Sequence, residues 1–206
     1  IPGLFAIGEC NFSDHGANRL GASAMMQCLA DGYFVLPHAV TDYLARLDDP
    51  HADPTHAAYA ETEAKVERRL ERLLSIDGST PTRHIHHELG KLLIDVCGIS
   101  REGVKLERAL TELPAIREQF WSDVKIGGDA RSLNQSLEYA GRVADFLELG
   151  ELMCRDALVR DESCGCHLRE EHQTEDGEPV RDDERFAHVA VWEWTGPESE
   201  PLRHTE

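Results

Sequence analysis

Hydrophobic and polar positions alternate in recognisable periods along most of this chain. Gly3 to Glu9 opens with a continuous apolar run closed by a glycine, which predicts a short buried strand and a turn. After a polar loop over Cys10 to Gly16, Asn18 to Leu36 reads as a helix that starts about Asn18 to Gly21 and stops near Pro37. His38 to His56, with Pro50, Pro54 and several aspartates, reads as a helix end followed by an exposed linker. Ala57 to Leu74 is strongly amphipathic, with Val66, Leu70, Leu73 and Leu74 as its apolar stripe. A turn over Asp77 to Pro81, with Thr82 as cap, precedes a helix from Thr82 to Cys97 that Gly98 ends. Val104 to Val124 is helical, and Pro114 inside it either bends or splits it. Gly127-Gly128 breaks the chain. Ser132 to Val159 is then the longest helical stretch, with Leu133, Leu137, Ala140, Ala144, Leu147, Leu152 and Ala157 as core candidates. A loop over Asp161 to Asp183 leads to strand character at Phe186 to Trp192, and Trp192 and Trp194, alternating with Glu193, put both rings on one strand face, either core or an interface with a partner subunit. The residues from Gly196 to Glu206 read as a loose tail.

This order predicts an α/β piece over residues 1–50, a helical bundle of roughly three to five helices over 57–160, and a C-terminal loop, strand and tail over 161–206. A strand, a glycine turn and one helix do not make a complete nucleotide-binding domain, so the rest of that sheet is expected upstream. The chain opens on Ile1-Pro2-Gly3 with no initiator methionine and no signal peptide, which reads as a fragment or a processed product.

Charge narrows the partners. Twenty-one Lys+Arg against 39 Asp+Glu give −18, which argues against a nucleic-acid backbone and against docking on anionic lipid. No apolar run is long enough for a membrane span. Cys28, Cys97 and Cys154 lie in apolar helical stretches and read as reduced core cysteines. Cys164-Gly165-Cys166-His167 lacks a second ligand pair at metal-site spacing, and His84, His87 and Glu88 on one helix face read as a solvated or bundle-seam cluster. No metal site is expected at either.

The chemistry concentrates near the start. Glu9 directly follows a strand, where a carboxylate can accept from a ribose. Arg19 stands at a helix N-terminus, whose free N–H groups and field favour anions, and its rigid fork suits a carboxylate. His15 lies nearby, and Gly16 and Gly21 permit close approach of a flat ligand.

The run His15-Gly16-Ala17-Asn18-Arg19-Leu20-Gly21, following Gly8-Glu9, closely resembles the flavoprotein subunit of succinate dehydrogenase and fumarate reductase. The resemblance extends through the helical stretches to Glu162-Ser163-Cys164-Gly165-Cys166-His167-Leu168-Arg169, and the non-classical bacterial branch is the nearest. The family commonly has arginine where Cys164 stands.

The resemblance implies an FAD enzyme interconverting succinate and fumarate, with most of the FAD site upstream and this chain alone inactive. By the same resemblance, Glu9 holds the FAD ribose and Arg19 binds a carboxylate of the C4 dicarboxylate substrate, with His15 shaping the pocket. Ala24 and Met25 occupy the family's flavin-contacting serine–leucine pair. That serine is absent here, and Ser23 lies one position earlier. Implied partners are an iron–sulfur subunit and a membrane anchor carrying quinone, with a location on the cytoplasmic side of the inner membrane. L-Aspartate oxidase, a soluble fumarate reductase or an inactive helical scaffold are the alternatives.

Overall fold

The computed structural model describes residues 2–11, 15, 18–48, 53–196 and 200–205. They fall into two compact units, residues 1–68 and 69–206.

In the first unit the expected strand is absent. Ile7 is extended, but no described residue pairs with the segment, and Gly8–Cys10 instead forms a 3-10 turn. A strand needs a neighbour for its N–H and C=O groups, and none is supplied here. Gly8 sits at φ +66° and donates its N–H to Asp31 Oδ2 at 2.8 Å, which turns the chain out of the extended path. Helix α1 (Ser23–Ala30) starts later than expected because Ala22 is left-handed (φ 63°), a conformation that no helix can include.

Pro37 does not stop the helix. A π-helical turn over Asp31–Val35 intervenes, and a renewed helix α2 (Leu36–Ala45) carries Pro37 in its first turn, where a missing N–H costs little. None of the eight residues of α1 is buried, and Met25, Met26, Tyr33 and Phe34 are about 70% exposed. For the same reason Cys28, expected in a core, is exposed.

Helix α3 (Ala57–Leu74) has the expected bounds. Its Leu73 is buried and Leu70 and Leu74 pack on the second unit's core, whereas Val66 lies 53% exposed. That core is made by α4 (Thr82–Cys97), α5 (Gly103–Asp123) and α6 (Gln135–Val159). Ile85, Leu89, Leu92 and Val96 recur at helical spacing on α4, as do Leu106, Ala109, Leu113 and Phe120 on α5. Burial also holds for Leu137, Ala140, Ala144, Leu147, Ala157, Cys97 and Cys154. Leu133 does not join them. It precedes the cap residue Asn134, whose Oδ1 accepts from Leu137 N, and it is 96% exposed. Leu152 is half-buried.

Helix α5 runs unbroken through Pro114, which faces solvent so that the carbonyl it leaves unpaired can be hydrated. Thr82 is the buried first residue of α4 rather than its cap.

Short strands clamp the bundle. β1 (Thr80–Pro81) pairs in parallel with β3 (Val124–Lys125), and β2 (Ser100–Arg101) with β4 (Leu168–Arg169). Asp182 caps a four-residue helix α7 (Asp183–Phe186), which takes Phe186 out of the expected strand. The strand itself, β5 (Ala190–Glu193), pairs antiparallel with β6 (Leu202–Thr205), so part of the expected loose tail is half of a hairpin. Among the described residues, no helix is long and apolar enough to cross a membrane.

Candidate functional site

Two polar clusters stand out, one in each unit. In the first, the carboxylate of Glu9, in the 3-10 turn, meets the guanidinium of Arg19, in the coil before α1. Arg19 Nε lies 2.6 Å from Glu9 Oε1. Both side chains are only partly covered, so part of the Arg19 guanidinium faces solvent. The fork that suits a carboxylate is therefore available in a preset orientation.

The loop around them is stitched to α1 by Gln27 and to the π-helical turn after it by Asp31. Gln27 Nε2 donates to the Asn11 carbonyl at 2.9 Å, and its Oε1 meets His15 Nε2. One turn on, Asp31 is buried and accepts from Gly8. Gln27 and Asp31 were not picked out by the sequence reading. Their signal is spacing, since they stand four residues apart in a mostly apolar stretch, about one helical turn.

Ser23, Ala24 and Met25 form the first turn of α1. The Ser23 hydroxyl donates to the Leu20 carbonyl at 2.7 Å and is thus used locally. The α1 N-terminus has no side-chain cap, so early N–H groups of the helix stay available to a ligand. Met25 is 69% exposed and Ala24 half-buried. Gly16 and Ala17, the centre of the motif, lie outside the described residues.

The second cluster follows α6. Glu162, Ser163, His167 and Arg169 are all buried. Arg169 sends Nη1 to the carbonyls of Ala157 and Leu158 at 3.1 and 3.4 Å, satisfying acceptors that the end of α6 leaves open. Its charge is met by Glu171 (3.2 Å) and Asp161 (3.4 Å). The Ser163 hydroxyl donates to the Arg169 carbonyl at 3.0 Å and accepts Arg169 N at 2.8 Å.

His167 Nδ1 accepts from Arg101 Nη1 at 2.8 Å, while Nε2–H donates to the Arg160 carbonyl at 2.7 Å, an arrangement that fits a neutral ring. Burial, together with the nearby arginines, pushes its pKa below the usual histidine value, although the bond to the Arg160 carbonyl opposes this. Cys164-Gly165-Cys166-His167 is a turn closed by mutual backbone bonds between Cys164 and His167. Among the described residues no three His, Cys, Asp or Glu side chains are grouped so as to hold a metal ion. His84 pairs with Glu88 at 3.2 Å, and His86 Nδ1 bonds the Tyr139 hydroxyl at 2.6 Å. The second cluster holds the fold together, and its polar atoms point to one another.

Comparison with known proteins assigns this architecture. The family described as fumarate reductase flavoprotein C-term matches residues 86–205. The chain belongs to the succinate dehydrogenase/fumarate reductase flavoprotein family. A fumarate reductase flavoprotein subunit of Mycobacterium tuberculosis is 34% identical over 93% of this chain and 32% of its own length. The succinate dehydrogenase flavoprotein subunit of Bacillus subtilis is 27% identical over 98% of this chain and 33% of its length. Among solved structures, E. coli quinol fumarate reductase superposes with a TM-score of 0.82 at 29% identity, covering 100% of this chain and 33% of that one. A quinol–fumarate reductase with menaquinol molecules gives 0.81 at 29% identity, over 100% of this chain and 34% of that one. This family member thus spans about a third of the length of the curated relatives it matches.

Proposed function

We propose that this chain is the C-terminal third of an FAD-carrying subunit that interconverts succinate and fumarate. In this reading residues 1–50 complete one wall of the flavin and substrate site, residues 57–160 form the helical domain, and residues 161–206 lock that domain's end. The observation that carries it is the Glu9–Arg19 pair, placed just before the uncapped start of α1.

The residues present fit the cofactor. Glu9 meets Arg19 through Oε1 and stays half-exposed, which leaves acceptor capacity for a ribose hydroxyl. The first-turn N–H groups at Ala24 and Met25 suit the carbonyl oxygens of a flavin ring. Backbone contact there explains why the absent serine is tolerated, since the Ser23 hydroxyl is already engaged with Leu20. The apolar surface of α1, with Met25 and Met26, suits a flat ring and the domain that would enclose it.

When bound, FAD supplies hydride exchange with the dicarboxylate. Arg19 fixes one substrate carboxylate through its terminal nitrogens and holds it in a set orientation while the reaction proceeds. Glu9 orients that guanidinium through Nε. His15, tied to Gln27, shapes the pocket beside it. Electrons would leave through an iron–sulfur subunit to quinone in a membrane anchor, with this subunit peripheral on the cytoplasmic face. The solved relative with menaquinol supports the quinone end of that route.

The test uses the full-length protein. Arg19→Lys keeps the charge and loses the fork. Succinate turnover should fall by about a hundredfold or more with flavin content unchanged. Near-normal turnover would remove Arg19 from the substrate site.

A further inference from the structure

All three tryptophans of this chain line one groove of the second unit, although aromatic residues make up only 6% of the sequence. Trp121 comes from α5, Trp192 from β5, and Trp194 from the residues just beyond it. The groove has a volume of about 570 Å³, within the usual range for small-molecule sites. Trp192 is fixed by its Nε1–H, which donates to Asp156 Oδ1 at 2.7 Å. Trp194 is 71% exposed, a large indole left in water at the groove.

The groove already demonstrates its chemistry on a residue of its own. The guanidinium of Arg72 lies 3.8 Å from the centroid of the Trp121 ring. The remaining charges are unequally satisfied. Arg117 and Arg155 both bind Glu151, at 2.5 and 2.9 Å, and Asp145 is held by Arg69 at 2.5 Å. Glu118 and Glu148 also line the groove, from α5 and α6, and among the described residues neither carboxylate has a partner. Among the described residues, every cation lining the groove is therefore engaged and two anions are not.

We propose that this groove binds an organic cation, a guanidinium on an apolar stem, through the indoles of Trp192 and Trp194 and the carboxylates of Glu118 and Glu148. A planar, weakly hydrated guanidinium stacks on an indole and also reaches a carboxylate with its edge, which a compact ammonium does less well. The groove shares no residue with the Glu9–Arg19 pair, and the proposal does not rest on the redox reading.

The test is calorimetric titration of the full-length protein with N-acetyl-arginine methylamide, whose only charge is the guanidinium. N-acetyl-citrulline methylamide, the neutral isostere, and tetramethylammonium serve as comparisons. The arginine probe should bind with a Kd of about 1 mM or tighter, and the citrulline probe about tenfold more weakly. Glu148→Gln and Trp194→Ser, both at exposed positions, should each weaken the arginine probe by about fivefold and leave succinate turnover unchanged. Circular dichroism of the variants checks that they fold. Equal affinity for the citrulline probe, equal affinity for tetramethylammonium, insensitivity to both substitutions, or no binding of the arginine probe would each overturn the proposal.

Discussion

The closest approach of Arg19 to Glu9 is from Nε to Oε1, at 2.6 Å. One residue proposed for the cofactor thereby orients the residue proposed for the substrate, so a change at one reaches the other. Glu9→Gln keeps the shape and removes the charge. In the full-length protein it should loosen flavin retention and also raise the KM for succinate, because Arg19 loses its anchor. Flavin release on dilution and a KM-against-kcat comparison read the two effects separately. A variant with wild-type values in both would separate Glu9 from the site.

Asp31 holds the Gly8 N–H at 2.8 Å from a buried position. Asp31→Ala should leave that donor unpaired and release the turn that carries Glu9, at a cost of about 1–3 kcal/mol. The expected readout is faster limited proteolysis between residues 3 and 22, with the bundle's melting unchanged. Equal cleavage rates in both proteins would count against the turn's dependence on Asp31.

Arg169 is the centre of the knot that ends α6. Arg169→Met should destabilise the second unit by about 3–5 kcal/mol, the range for removing one partner of a buried ion pair. Urea unfolding followed by circular dichroism measures this, and a loss below about 1 kcal/mol would show that water replaces the guanidinium at the helix end.

Glu171 gives a pH signature. Burial raises its pKa, but the Gly103 N–H and the Arg169 guanidinium outweigh burial and bring it from 4.5 to about 2. A folded value below the unfolded one stabilises fully above pH 4.5, and that contribution is lost as pH falls toward 2. Glu171→Gln should therefore melt lower than wild type at pH 7, with the gap closing as pH drops through that window. A gap independent of pH would show that the carboxylate's charge contributes nothing.

Gly78 lies against backbone. A Cβ there would sit 2.1 Å from the carbonyl carbon and oxygen of Asp123, a clash that no side-chain rotation relieves. Gly78→Ala should cost about 1–3 kcal/mol or more and separate β1 from β3. An unchanged thermal midpoint would mean that the two loops move apart freely.

Legibility in the sequence followed how local the controlling forces are. The bounds of α3 and α4 could be read from periodicity and a glycine stop, because helix signals lie within a few residues of the structure they make. The expected strand before Glu9 and the burial of Cys28 failed for a shared reason. Both presuppose neighbours, and among the described residues no strand pairs with residues 3–7 and no residue of α1 is buried. The β5–β6 hairpin was missed because its second strand, Leu202–Thr205, is short and polar and is defined by its partner. At the site, Glu9 and Arg19 were legible as chemistry, but their direct contact was not. Sequence spacing carries no information about which side chain turns toward which.

The knot after α6 also orders events in time. β4 pairs with β2, and Arg169 closes the last turns of α6, so the bundle's end is finished by residues that follow its final helix. During synthesis, α4, α5 and α6 can each form as they leave the ribosome. The last carbonyls of α6 remain open until the chain has emerged past Arg169, and a ribosome stalled before that point would hold a bundle with one frayed end.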